Sequence, residues 1–121
     1  MVYFVVSPFV LCQFVLVVNG QYVFTDKAGL VTAVDAWIAD ESVATGTYGV
    51  IDSWDVFQVT DMSELFSGKS TFNSDISSWD VSSVTTMYKM FNSASVFNSD
   101  ISGWDVSSVG TMENMFYGAS T

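Results

Sequence analysis

The sequence predicts an α/β repeat solenoid: a stack of short parallel strands and short helices behind an N-terminal capping helix. Three observations predict it. Trp54, Trp79 and Trp104 stand 25 residues apart, each followed by Asp and Val. From each Trp the same apolar positions recur: Val at +2 and +5, Met at +8, Met or Leu at +11, Phe at +12. Residues 72–81 match residues 97–106 at nine of ten positions. A fixed period of this size marks an array of supersecondary units, each burying its apolar face on the next.

The first element, residues 1–20, is apolar, and no charged side chain precedes Asp26. It allows three readings. Val18 and Gly20 stand at the −3 and −1 positions of a signal-peptidase site, although a secretory signal normally opens on Lys or Arg. Residues 1–18 also reach the lower length limit of a membrane span, which would make them an anchor. Rich in β-branched and aromatic residues, they also suit buried strands broken at Ser7-Pro8. Cys12 lies in this run and reads as a small hydrophobe.

The second element, residues 21–47, reads as an N-terminal cap. Asp26 is a good helix N-cap. Leu30, Ala33, Val34, Trp37 and Ile38 follow at helical spacing on one face, which predicts a helix over 26–40, and Thr45-Gly46 offers a stop downstream. Such a helix can cover the first coil of an array.

Residues 48–121 hold about three 25-residue units, the last incomplete. Within a unit, Val84, Met87, Met90 and Phe91 suit a short helix or 3₁₀ turn with one buried face, and the sets from Val59 and Val109 repeat it. In Phe97-Asn98-Ser99-Asp100-Ile101-Ser102 the apolar and polar residues alternate, as in a strand with one side buried. Ile51, Ile76 and Ile101 are expected to form one internal column. The Met62–Met87–Met112 and Met90–Met115 stripes read as gap-filling core. The Trp column reads as inward or bend-covering, with stacking on sugar rings as the alternative.

Composition excludes several functions. Aromatic residues make up 16% of the 121, enough for one cored domain rather than a disordered chain. Net charge is −10, with three Lys and no Arg, so phosphate neutralisation and nucleic-acid binding are disfavoured. With no His, imidazole acid–base chemistry, Ser-His-Asp hydrolysis and His-ligated zinc are absent. No enzymatic activity and no cofactor are expected. The single Cys cannot form an intramolecular disulfide.

Two Asp columns, Asp55–Asp80–Asp105 and Asp75–Asp100, supply the oxygen ligands that Ca²⁺ takes. The same residues suit Asx turns that accept backbone N–H, and no calcium-loop motif is present, so no metal is expected. Asn73 and Asn98 suit an Asn ladder that satisfies turn backbone. With Asp75, Ser77, Asp100 and Ser102 they form the candidate binding face.

The unit from Trp79 to Gly103, Trp-Asp-Val-Ser-Ser-Val-x-x-Met-x-x-Met-Phe-x-x-Ala-x-x-Phe-Asn-x-Asp-Ile-Ser-x, resembles the repeat of BspA-like leucine-rich-repeat surface proteins. Trp104–Thr121 carries 18 positions of the next unit. Trp54–Ser78 is a more divergent copy, with Phe57-Gln58 where Ser-Ser is usual and Lys69 where Ala is usual. The resemblance implies a leucine-rich-repeat-like stack, an extracellular or cell-surface location and adhesion-like binding of a protein or glycan. It carries no catalytic residues. The competing expectation is a structural spacer that self-associates end to end through an uncapped C-terminal end.

Overall fold

The computed structural model describes residues 2–6 and 14–120. Three strands, two helices and one 3₁₀ turn precede a long region of turns. Strands β1 (Val2–Val6), β2 (Phe14–Val18) and β3 (Gln21–Tyr22) form an antiparallel sheet in the order β1-β2-β3. β1 pairs with β2 from Val2 opposite Val18 to Val6 opposite Phe14. Asn19-Gly20 makes the turn between β2 and β3, both residues at positive φ (52° and 80°), the conformation such a tight reversal favours. The described parts of the apolar N-terminal run are therefore paired strands. Cys12 and the proposed break at Pro8 lie outside the described residues. Among the described residues no helix is long and apolar enough to cross a membrane.

Helix α1 (Lys27–Ala39) starts where Asp26 accepts the Gly29 N–H at 2.8 Å. It buries Leu30, Ala33, Val34 and Trp37, with Ile38 packed at the margin. The helix fills the expected span 26–40, but the downstream stop at Thr45-Gly46 is not a stop. α1 ends at Asp40, whose extended backbone breaks the helix and whose carboxylate caps α2 (Glu41–Tyr48) through the Val43 N–H. Gly46 lies inside α2 with open space around its Cα, and the helix ends at Gly49 with φ +75°. A 3₁₀ turn, Ile51–Ser53, leads into Trp54.

Residues 54–120 do not form the predicted stack of parallel strands and short helices. They contain no strand and no helix, and their parallel pairing is reduced to isolated bridges, Asp61 with Thr86 and Thr86 with Thr111. The regular sheet of this chain is antiparallel and lies at the other end. The expected α/β solenoid is thus overturned, for local reasons.

Glu64, Lys89 and Asn114 share one position of the unit, and all have left-handed φ of 52–60°. Gly68, Ser93 and Gly118 share another, at 58–73°. A left-handed residue in every unit interrupts a continuous helix, and what remains of the expected short helix or 3₁₀ turn is single i→i+3 turns, such as the Met90 N–H on the Met87 carbonyl at 3.1 Å. In the alternating segment, Asp75 and Asp100 take the N–H groups of Ser77 and Ser102 onto their carboxylates. Those donors are then lost to any strand ladder, and the segment folds as Asx turns. Apolar spacing defined which side chains point inward; it did not define the backbone between them.

The turn units nonetheless pack in 25-residue register. Trp54 and Trp79 stack at 6.2 Å and 19°. Phe66, Phe91 and Phe116 form a second column, with centroids 5.2 and 5.5 Å apart and planes within 4°. Phe72 and Phe97 stack on the first two of these at 4.1 and 3.9 Å. The core runs unbroken from α1 through these columns, and among the described residues no polar or charged residue is buried. Ile51 and Ile76 are buried, and Ile101 packs at the edge of the core.

Candidate functional site

The tryptophans set the frame on which the polar residues stand. Trp79 Nε1 donates to the Ile51 carbonyl at 2.8 Å, and Trp104 Nε1 to that of Ile76 at 3.1 Å. Trp54 Nε1 takes the Gly49 carbonyl instead. All three rings are at most 9% exposed, so they have no face to offer a sugar. The indole donors of Trp79 and Trp104 are held by carbonyls 28 residues back, and the burial of all three rings corrects the sugar-stacking alternative.

The candidate binding face is assembled as a ridge. Asn73, Asp75, Ser77, Asn98, Asp100 and Ser102 are all exposed, and the second set repeats the first at +25. The Asn98 N–H donates to Asn73 Oδ1 at 2.7 Å, the rung expected of an Asn ladder. Ser99, the +25 partner of Ser74, adds a second rung, its hydroxyl donating to the Ser74 carbonyl at 2.9 Å. Ser74 in turn accepts the Trp37 indole N–H at 2.9 Å, so α1 is tied to the ridge.

The ridge carries negative charge. The Asp75 carboxyl is held below its ordinary value by the Ser77 N–H and hydroxyl, against desolvation and the like charge of Asp100. The Asp100 carboxyl is held down by the Ser102 hydroxyl and N–H. Asp105 is lowered in the same way by Ser107. Hydrogen bonds to the ionised form of these carboxylates favour it.

The Ca²⁺ candidates are placed as Asx turns. Asp55, Asp80 and Asp105 each accept the N–H two residues on, from Phe57, Ser82 and Ser107. Asp80 takes the Ser82 hydroxyl as well. Among the described residues no group of three or more His, Cys, Asp or Glu is placed to hold a metal ion. The backbone of Asp55 also joins two parts of the fold. Its N–H donates to the Tyr22 carbonyl and its carbonyl accepts the Phe24 N–H, which fixes the N-terminal sheet to the first unit.

Two polar features beside α1 were not anticipated. Lys27 donates to Ser63 Oγ at 2.6 Å and to Asp61 at 3.4 Å, and Lys69 pairs with Asp35. A half-buried tyrosine pair, Tyr22 and Tyr48, meets edge to face at 4.8 Å. Burial raises both phenols, and the Tyr48 charge adds to the rise at Tyr22.

Residues 40–121 match the model of a family described as Mycoplasma protein of unknown function, DUF285, and the chain belongs to that family. No curated protein and no solved structure matches the chain.

Proposed function

We propose that this member of the DUF285 family is a non-catalytic binding module, working at a cell surface or outside the cell, whose Asn73–Ser102 ridge engages a protein or glycan. The observation that carries the reading is the ridge: six exposed polar residues in two sets at one 25-residue step, held on stacked aromatic columns. A rigid base lowers the entropy lost when such a surface is engaged. The exposed groups are amides, hydroxyls and ionised carboxylates, which suit sugar hydroxyls and cationic side chains. The resemblance of Trp79–Gly103 to BspA-like surface-protein repeats supports an adhesion-like role and a surface location. A net charge of −10 and the lack of Arg argue against nucleic acid as the ligand. The lack of His argues against common acid–base catalysis.

The test is an array of neutral oligosaccharides and cationic peptides, probed with the native chain and with the Asp75→Asn/Asp100→Asn double variant. Both sites are exposed, so the variant is expected to fold. A ligand of this ridge should lose about tenfold or more in affinity, the equivalent of one charge-assisted contact. Ligands bound equally by both proteins would place recognition elsewhere, and a chain that bound nothing on the array would count against the module.

A further inference from the structure

The three units differ at one turn. Where the second and third carry Ser82-Ser83 and Ser107-Ser108, the first carries Phe57-Gln58. The turn itself is the same in all three. The N–H of Phe57, Ser82 or Ser107 is held by the carboxylate two residues back, Asp55, Asp80 or Asp105, at 3.0–3.1 Å. Serine satisfies this backbone twice in the chain, so the turn does not require a ring. The Phe57 ring is 49% exposed and, among the described residues, joins none of the aromatic contacts that build the columns. A single exposed Phe is ordinary. The surroundings of this one are not.

Phe57 lines an open cleft of about 440 Å³ between strand β3 and the second unit, a size within the range of small-ligand sites. Trp54 and Val56 also line it but are almost wholly buried, so Phe57 is the apolar surface the cleft offers. The polar groups around it are set mainly as acceptors. Gln21 Nε2 donates to the Ser53 carbonyl at 3.1 Å, which orients the amide and leaves Oε1 without a donor among the described residues. Asp55 and Asp80 each use Oδ1 in their own turns and keep Oδ2. The Ser78 hydroxyl gives its proton to Asp52, so it too can only accept. An apolar ring beside amide, hydroxyl and carboxylate oxygens suits a ligand with several donors along its edge and an apolar face. A pyranose has both: its hydroxyls donate, and its C–H groups lie against an aromatic ring.

We propose that the cleft around Phe57 binds a pyranose residue of a neutral saccharide, its C–H face on Phe57 and its hydroxyls on Gln21, Asp55 and Asp80. The site is separate from the Asn73–Ser102 ridge and does not rest on the ridge binding a ligand. A lysine or arginine side chain is the competing occupant. It would use the two carboxylates but leave much of the cleft unfilled. Phe57 supplies what the tryptophan column cannot, an aromatic ring that reaches solvent.

The experiment is a titration of the isotope-labelled full chain with lactose, maltose, chitobiose and mannobiose, and separately with N-acetyl-arginine amide, followed through the backbone amide shifts. At least one disaccharide should give saturable shifts at Gln21 and at residues 55–58 and 78–80. Phe57→Ser should weaken that disaccharide about tenfold or more. The variant should keep the fold, because it installs the turn residue already present at Ser82 and Ser107. Asp80→Asn retains an Asx-turn acceptor and should weaken binding severalfold, through the loss of one charge-assisted acceptor. No saturable shift with any of the disaccharides, equal affinity in the native and Phe57→Ser chains, or saturation by the arginine amide alone would each overturn the proposal. Shifts confined to residues 98–102 would assign the sugar to the ridge and overturn it as well.

Discussion

The middle unit, from Trp79, and the last unit, from Trp104, are nearly the same sequence in different surroundings. Phe91 is fully buried and Phe116 is 49% exposed; Met87 is fully buried and Met112 is 41% exposed. Val81 is buried and Val106 is exposed. The backbone is shared, down to the left-handed residues Lys89 and Asn114, so conformation is written into each unit while burial is conferred by its neighbours. Energetic worth should therefore follow position in the array rather than residue type.

The largest contrast is at the phenylalanines. Phe91→Ala empties a site stacked against Phe66, Phe97 and Phe116, and should cost about 3–5 kcal/mol, the usual toll for a fully buried Phe. Phe116→Ala removes a half-exposed ring that touches the column on one side, and should cost about 1 kcal/mol or less. Urea titration of the two variants measures the gap. Equal losses would mean that the last unit is covered in solution.

The tryptophans give a smaller contrast. Trp79→Phe keeps most of the ring but removes one of the two donors on the Ile51 carbonyl, leaving the Trp54 N–H at 3.2 Å, which should cost about 0.5–1.5 kcal/mol. Trp104→Phe does the same to the Ile76 carbonyl, but the ring there is 9% rather than 3% exposed and water is nearer. Its cost should sit at the low end of that range. A larger loss at Trp104 in thermal unfolding would reverse the ranking of the two units.

How legible the molecule was follows the same division between side chain and backbone. The Trp and Phe columns, the buried face of α1 and the Asp26 cap could be read directly, because bulky residues at a fixed period have few places to go. The helix and strand expected within each unit could not. Glu64 and Lys89 are not residues that advertise a left-handed turn, and Ser93 hides a position where Gly68 and Gly118 announce one. The end of α1 at Asp40 was legible, but α2 was missed because Gly46 resembled a stop and Asp40 both ends one helix and caps the next. At the candidate site, the Asn73–Asn98 rung was visible as a repeat of side chains. The backbone bonds that join the turn units, from the Met62 N–H on the Thr86 carbonyl to the Gly68 N–H on the Asn92 carbonyl, were not, since the direction a backbone donor points leaves no mark in the sequence.

The smallest effect separates the first unit from the other two. Asp61, Thr86 and Thr111 hold the same position, and each accepts the N–H two residues on: Ser63 at 2.8 Å, Tyr88 at 3.3 Å, Glu113 at 3.3 Å. Only Asp61 titrates. Burial pushes its carboxyl up, but the Ser63 hydroxyl and N–H together with Lys27 outweigh that and leave it below the ordinary 3.8. A depressed carboxyl adds stability that is fully present above the unfolded value and fades as pH falls through the lower folded one. Asp61→Thr should therefore make the first unit resemble the others and remove this pH dependence. The side chains of Asp61 and Lys27 are 45% and 35% exposed, so solvent screening keeps the loss at neutral pH under about 1 kcal/mol. The gap between native and variant stability, followed by denaturant titration, should be constant near neutrality, close below pH 3.8 and shrink with added salt. A gap that widened in acid would mean that Asp61 is held by its neighbours in the protonated form, the opposite of what the Lys27 contact requires.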